Sequence, residues 1–156
     1  MFKFDKLVFG DLGWGDELLF ATLMTITVSI LSMGLGLCLA IMTVWAKLIT
    51  NRITRLIANF YTTVVRGVPE LLVIYLIFFG GNSVVMGVAK LFGYNGYIEL
   101  NALTIGTIAI AFISATYSSE VIRAAYLAVN KGQVEAAKAL GLSRVQIFLR
   151  VMGPQI

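Results

Sequence analysis

Few side chains in this sequence could carry chemistry. Glu120 and Arg123 interrupt an apolar region three residues apart, on one side of a helix, where they can form a local ion pair. A carboxylate close to a bilayer is also a functional candidate by default, and both readings stand. Arg66 and Glu70 bracket Gly67, Val68 and Pro69. The proline predicts a bend near Val68, with Glu70 in the first turn of the next helix, where the helix dipole favours an anion. These two charges either pair with each other or serve gating or solute contact. The sequence has no histidine, the commonest general base and metal ligand, and its one cysteine, Cys38, can form neither an internal disulfide nor a thiolate cluster. An enzyme built on Glu120 would lack a second intramembrane carboxylate, so the composition argues against most enzymes.

The elements that must position these residues are membrane spans. Of 156 residues, 59% are hydrophobic and only 13% are charged, more apolar surface than a globule of this size can hide. Leu18–Ala46, Leu71–Ala89 and Leu100–Ser119 contain no Asp, Glu, Lys or Arg. About 20 helical residues cross a hydrocarbon core, so each stretch is long enough to span. The expected spans are 18–46, 56–89 with its hydrophobic part at 71–89, and 100–119. The segment from Asn51 to Arg66 reads as an amphipathic helix leading into the second span. Met1–Glu17 carries four acids against two lysines and lacks the basic start of a cleavable signal.

Basic residues near span ends favour the cytoplasmic side. Lys47, Arg52, Arg55 and Arg66 follow the first span without an acid among them, whereas the loop after the second holds Lys90 offset by Glu99. Arg123, Lys131, Lys138, Arg144 and Arg150 follow the third, against Glu120 and Glu135. The pattern predicts the N-terminus outside and residues 120–150 in the cytoplasm. Trp14, Phe92, Tyr94 and Tyr97 suit the outer interface and Trp45 the inner one. Within the spans, Thr22, Thr25, Ser29, Ser32 and Gly36 share one helix face, as do Thr104, Thr107, Ala111, Ser114 and Ser118. Such stripes let helices pack closely, or line a solute pathway.

Past the third span, Asn130 with Gln133 is a helix-start signal, Gly141 a left-handed stop, and Ser143 with Gln146 a capping box opening another helix. Without context this window resembles a DNA-binding helix-turn-helix, which would make the protein a membrane-anchored regulator. Against that, the second helix carries Val145, Ile147, Phe148, Leu149, Val151 and Met152, too apolar for a groove-reading surface.

Glu135, Ala136, Ala137 and Gly141 resemble the E-A-A-x-x-x-G loop of permease subunits in bacterial ATP-binding-cassette importers. Ala115–Gln133 and Arg66–Leu72 are similar to the polar amino acid and opine subgroup, and R-G-V-P-E is closest to permeases for basic amino acids and opines. The resemblance implies an all-α integral membrane permease domain over 1–156 in the inner membrane: three transmembrane helices plus a cytoplasmic coupling helix, an incomplete version of a five-span fold. It places a coupling loop at 130–143, with Gly132, Glu135, Ala136, Ala137 and Gly141 engaging a separate ATPase, and the start of a further helix at 144–156. Arg66, Ser114, Tyr117, Ser118 and Glu120 become substrate-path candidates. The implied partners are the ATPase, a second permease of the same or related sequence, and a periplasmic solute-binding protein. The sequence has no G-x-x-x-x-G-K loop, so no cofactor is expected on this chain, and ATP with magnesium belongs to the partner. Since such permeases carry further spans after the coupling loop, the chain reads as a fragment.

Overall fold

The computed structural model describes residues 13–94 and 101–156, together with Phe9 and Gly96. Most of the acid-rich start, and Leu100, Tyr97 and Glu99 from the second span's loop, lie outside the described residues. All regular structure among the described residues is helical: α1 (Gly15–Leu48), α2 (Arg52–Gly67), α3 (Glu70–Leu91), α4 (Ala102–Ala128), α5 (Lys131–Ala139) and α6 (Arg144–Ile147). Three of these, α1, α3 and α4, are long and apolar enough to cross a membrane. Large side chains such as Phe20, Ile30, Ile41, Leu76 and Phe79 stand exposed along them, the surface that lipid rather than water would cover.

The segment over 56–89 is two helices, α2 and α3, with the break where the proline predicts it. Pro69 holds Val68 in extended backbone (φ −107°, ψ 141°), since its ring disfavours a helical residue before it, and α3 starts afresh at Glu70. The other helices outrun their uncharged stretches: α1 begins at Gly15 and ends at Leu48, and α4 continues beyond Ser119 to Ala128. Asparagines open three of the helices. The side chain of Asn51 accepts from the Ile53 N–H at 2.9 Å, Asn101 from Thr104 at 2.7 Å and Asn130 from Gly132 at 2.8 Å.

The core lies around α4, which packs against α1, α2 and α3 and buries Ile105, Thr107, Ala109, Ala111, Ile113, Ala115, Thr116 and Ser119. Its main contact is with α1, and the two polar stripes meet there. The Ser32 hydroxyl donates to the Thr107 carbonyl at 3.2 Å. At Gly36 the backbones approach so closely that a Cβ would sit 3.2 Å from the Ala111 carbonyl oxygen and 3.3 Å from the Ser114 Cβ. As Ser32 faces Thr107 and Gly36 faces Ala111, α1 and α4 run parallel. Val73 packs with Ile113, and Gly81 faces Ile105, so α3 runs antiparallel to both. Three spans alternating in direction bring the ends of α1 and α4 to the same end of the bundle, here called the charged end. In the other half of the α1 stripe, Thr22, Thr25 and Ser29 are exposed and donate back to carbonyls four residues earlier.

The two glycines of α1 make opposite predictions. Gly36→Leu forces α1 away from α4 and lowers the free energy of unfolding in detergent by about 1–3 kcal/mol, the usual cost of overpacking. Gly34→Leu, where an added Cβ meets nothing within 4 Å, leaves stability unchanged or slightly improved. Thermal melts of the two variants in the same detergent compare them directly.

Candidate functional site

The charged end is organised by a side chain the sequence presents as a loop charge. Lys47, in the last turn of α1, is buried, and its ammonium donates to the Thr62 hydroxyl of α2 at 2.7 Å and to the Glu120 carboxylate of α4. The expected partner of Glu120, Arg123, stands farther off, at 3.9 Å. Its Nε is buried with no hydrogen-bond partner. The Lys47 side chain is 1% exposed and that of Glu120 29%, so the lysine is sealed and the carboxylate keeps one side open. Three helices are therefore joined at one ion pair. A sequence signal for it exists in hindsight. The buried face of α1 continues Ser32, Gly36, Ala40, Val44, Lys47 at helical spacing, so the lysine ends the packing stripe.

Beside this pair opens a cleft of 540 Å³, lined by Thr62, Thr63, Arg66, Gly67, Tyr117 and Glu120. The Arg66 guanidinium lies over the Tyr117 ring, 5.3 Å from its centroid, a cation–π contact. The anticipated Arg66–Glu70 ion pair does not form; the Glu70 carboxylate instead approaches the Tyr117 hydroxyl, so the two charges converge on one tyrosine. Pro69 separates their helices and breaks the spacing that would have paired them. Of the five path candidates, Arg66, Tyr117 and Glu120 line the cleft. Ser114 packs against Gly36 at the α1 seam, a position set by helix packing, and Ser118 is half-buried on α4 next to Tyr117. Chemically the cleft offers a cation, an open carboxylate, a tyrosine and two threonine hydroxyls. That set can hold a small zwitterion at both ends. Among the described residues no cluster of acids, histidines or cysteines could hold a metal ion.

A second constellation hangs from the end of α4. Val129 breaks the helix, Asn130 caps α5, and α5 ends at Leu140 and Gly141, whose φ of +75° is the left-handed stop that glycine takes without strain. Ser143 and Gln146 then form a reciprocal capping box at the start of α6. Gly132, Glu135 and Ala136 are exposed on α5, whereas Ala137 is buried, as is Ile147 of α6. One alanine therefore holds the hairpin together and the other faces out, with Leu140 beside it, 81% exposed. Glu135 also lines a 330 Å³ groove together with Tyr126 and Leu127 of α4, Lys138 and Met152. Beyond α6 the chain widens into a π-helical turn over Phe148–Met152, then a 3₁₀ turn over Gly153–Gln155. The Gly153 N–H reaches back five residues to the Phe148 carbonyl, and a Cβ on Gly153 would lie 3.0 Å from that oxygen. The Gln155 side chain donates to that of Gln133 at 2.8 Å and ties the tail to α5. The helical run from Arg144 buries Ile147 in the hairpin and leaves Val145, Phe148 and Leu149 as an exposed apolar surface, which a nucleic-acid groove does not accept and which counts against the DNA-binding reading.

Residues 32–156 match the family described as binding-protein-dependent transport system inner membrane component. The chain belongs to this family. It is a multi-pass protein of the inner membrane. It is 47% identical over 150 residues to the nopaline transport system permease protein NocQ of Agrobacterium fabrum, covering 96% of this chain and 64% of that one. It is 41% identical over 147 residues to the octopine transport system permease protein OccQ of Agrobacterium tumefaciens, with 94% and 62% covered. To the histidine/lysine/arginine/ornithine transport system permease protein HisQ of Escherichia coli it is 36% identical over 144 residues, with 92% and 63% covered. The crystal structure of an amino acid ABC transporter with histidines superposes with a TM-score of 0.64 at 27% identity, over 94% of this chain and 65% of that one. The chain thus spans 62–64% of the length of these curated relatives. Family members of this kind are transporter components rather than enzymes.

The ion pair makes an asymmetric prediction. Glu120→Gln leaves a sealed ammonium without its counter-charge and destabilises by about 3 kcal/mol or more. Lys47→Met leaves a carboxylate that is partly open and still near Arg123, and costs less, about 1–2 kcal/mol. Arg123→Gln costs under about 1 kcal/mol, as an exposed pair should. Melts of the three variants in detergent, with the Lys47→Met/Glu120→Leu double variant recovering most of the loss, check the order.

Proposed function

We propose that this chain forms part of the translocation pathway of an ATP-driven importer for polar amino acids, with basic amino acids or opines as substrates. The single observation that carries the reading is the family membership over residues 32–156, joined to a short, capped and outward-facing α5 at the end of the central helix. The substrate class is favoured by the cleft: a basic amino acid or opine has a carboxylate for Arg66 and a cationic group for Glu120 and the Tyr117 face. Ser118 borders that path on α4.

In this reading the N-terminus is periplasmic and residues 120–150 are cytoplasmic. The shared charged end of α1 and α4 then puts Lys47, Arg52, Arg55, Arg123 and the basic residues of the tail on one side, as positive charge requires. The α5 helix sits in a cleft of a separate ATPase, which binds ATP with magnesium; this chain itself carries no cofactor. Gly132, Glu135 and Ala136 face that partner, while Ala137 and Gly141 hold the hairpin that presents them. A second permease subunit completes the pathway, and a periplasmic solute-binding protein delivers the substrate.

The test is association with the cognate ATPase in reconstituted membranes. Gly141→Val forces a branched side chain into left-handed backbone at about 1–2 kcal/mol. It should lower recovery of the ATPase with this chain by about tenfold, the equivalent of that strain, while membrane insertion is unchanged. Ala136→Cys in a Cys38→Ser background should cross-link to the ATPase. Full ATPase recovery with the Gly141 variant, and no cross-link from position 136, would sink the assignment of α5.

A further inference from the structure

The first half of the α2 helix carries side chains that neither the cleft nor the α5 hairpin uses. Arg52, Arg55, Asn59, Thr63 and Arg66 recur at steps of three and four, a polar stripe on one face. Adjacent to it Ile53, Leu56, Phe60 and Val64 form a second face, each exposed, with Leu56 at 71%. A third face, Ala58, Thr62 and Val65, is buried against the bundle. Arg66 is engaged with Tyr117, but Arg52 and Arg55 have no ion-pair partner among the described residues. No acid occurs anywhere from Leu18 to Pro69.

The helix also lies at the right depth. The Tyr61 hydroxyl donates to the Phe112 carbonyl at 2.6 Å, and Val65 packs with Ile113 and with Val73 in the first turn of α3. The start of α2 follows the end of α1 at Leu48 almost directly, and α1 is a span, so Arg52 and Arg55 lie close to where hydrocarbon gives way to headgroups. A helix at that level with an apolar face beside a cationic stripe has the form of an interfacial element, its hydrocarbon face in the acyl chains and its cations at the phosphates.

We propose that Arg52 and Arg55 form a binding surface for the phosphates of anionic phospholipids, whose acyl chains cover the Ile53–Val64 face. Charge complementarity selects this occupant: two guanidinium groups without an ion-pair partner among the described residues attract phosphodiesters, whereas a zwitterionic headgroup offers no net charge. The assignment does not depend on what the protein transports.

Trp45, exposed in the last turns of α1 ahead of α2, is a native reporter. In a Trp14→Phe background it is the only tryptophan, since the sequence has two. The protein is reconstituted in phosphatidylcholine bilayers containing either brominated phosphatidylglycerol or brominated phosphatidylcholine, and quenching of Trp45 gives the relative association of the two lipids. The anionic lipid should be preferred, by about fivefold for each contributing arginine at low salt. Arg52→Gln/Arg55→Gln should abolish that preference and Arg52→Lys/Arg55→Lys should keep most of it. Equal quenching by the two lipids in the unsubstituted chain overturns the proposal, as does a preference that survives the glutamine pair. Efficient cross-linking of Phe60→Cys to a second copy, in a Cys38→Ser background, would also overturn it by giving the apolar face to protein.

Discussion

Lipid is as good a neighbour for an apolar helix as another apolar helix is, so burial in a bilayer does not by itself hold two spans together. α1 and α4 meet that constraint by close approach and polar contact. Ser32 bonds to a backbone carbonyl across the seam, Gly36 lets the chains approach where an added Cβ would crowd the Ala111 carbonyl, and Lys47 closes the line on Glu120. Each device works only if the helices are parallel and in one register. The antiparallel α3 then fits on the other side of α4, through Val73 and Gly81.

Because α4 is the element that α1, α2 and α3 all pack against, it also fixes where the functional groups lie. Tyr117 and Glu120 face α2 near its end, so the cleft with Arg66 exists only while α2 is held there. Lys47, through Thr62 and Glu120, is the side chain that binds α2 and α4 to α1 at that level. A few residues further along, the same helix ends at Val129 and delivers α5 at a direction set by the Asn130 cap. The cleft and the α5 hairpin thus share one support, and a shift of α4 along its axis would be felt at both.

Much of this was legible in the sequence, for reasons that differ from residue to residue. Gly141 and the Ser143–Gln146 box act within a few residues of themselves, so their outcome follows from local chemistry whatever surrounds them. The break at Val68 and Pro69 is equally local. The stripes identified the seam faces in part, because small residues mark close approach; the exposed Thr22, Thr25 and Ser29 belong to the same stripe yet satisfy themselves on their own helix. What stayed hidden is the Lys47–Glu120 pair. Its members lie 73 residues apart, and charge near a span end is already explained by topology, so nothing in the pattern demanded a partner. The Arg66–Glu70 pair failed for the opposite reason: a plausible local spacing was cut by the proline between them. The π turn ahead of Pro154 had no signal beyond the Gly-Pro step.

The cost of the hidden pair shows why its position matters. Removing an ammonium from water is expensive, and a single carboxylate repays it only with good geometry and further hydrogen bonds. Lys47 has three N–H donors; Glu120 and Thr62 take two, while the carboxylate keeps a face toward the cleft. An apolar seam alone would tolerate slippage, since neighbouring registers bury similar surfaces against lipid of similar character. One turn of slip moves Lys47 by about 5.4 Å and strands its charge away from both acceptors. The ion pair therefore penalises every register but one, and it does so at the level of Tyr117 and Arg66, where an error of a turn would dismantle the cleft.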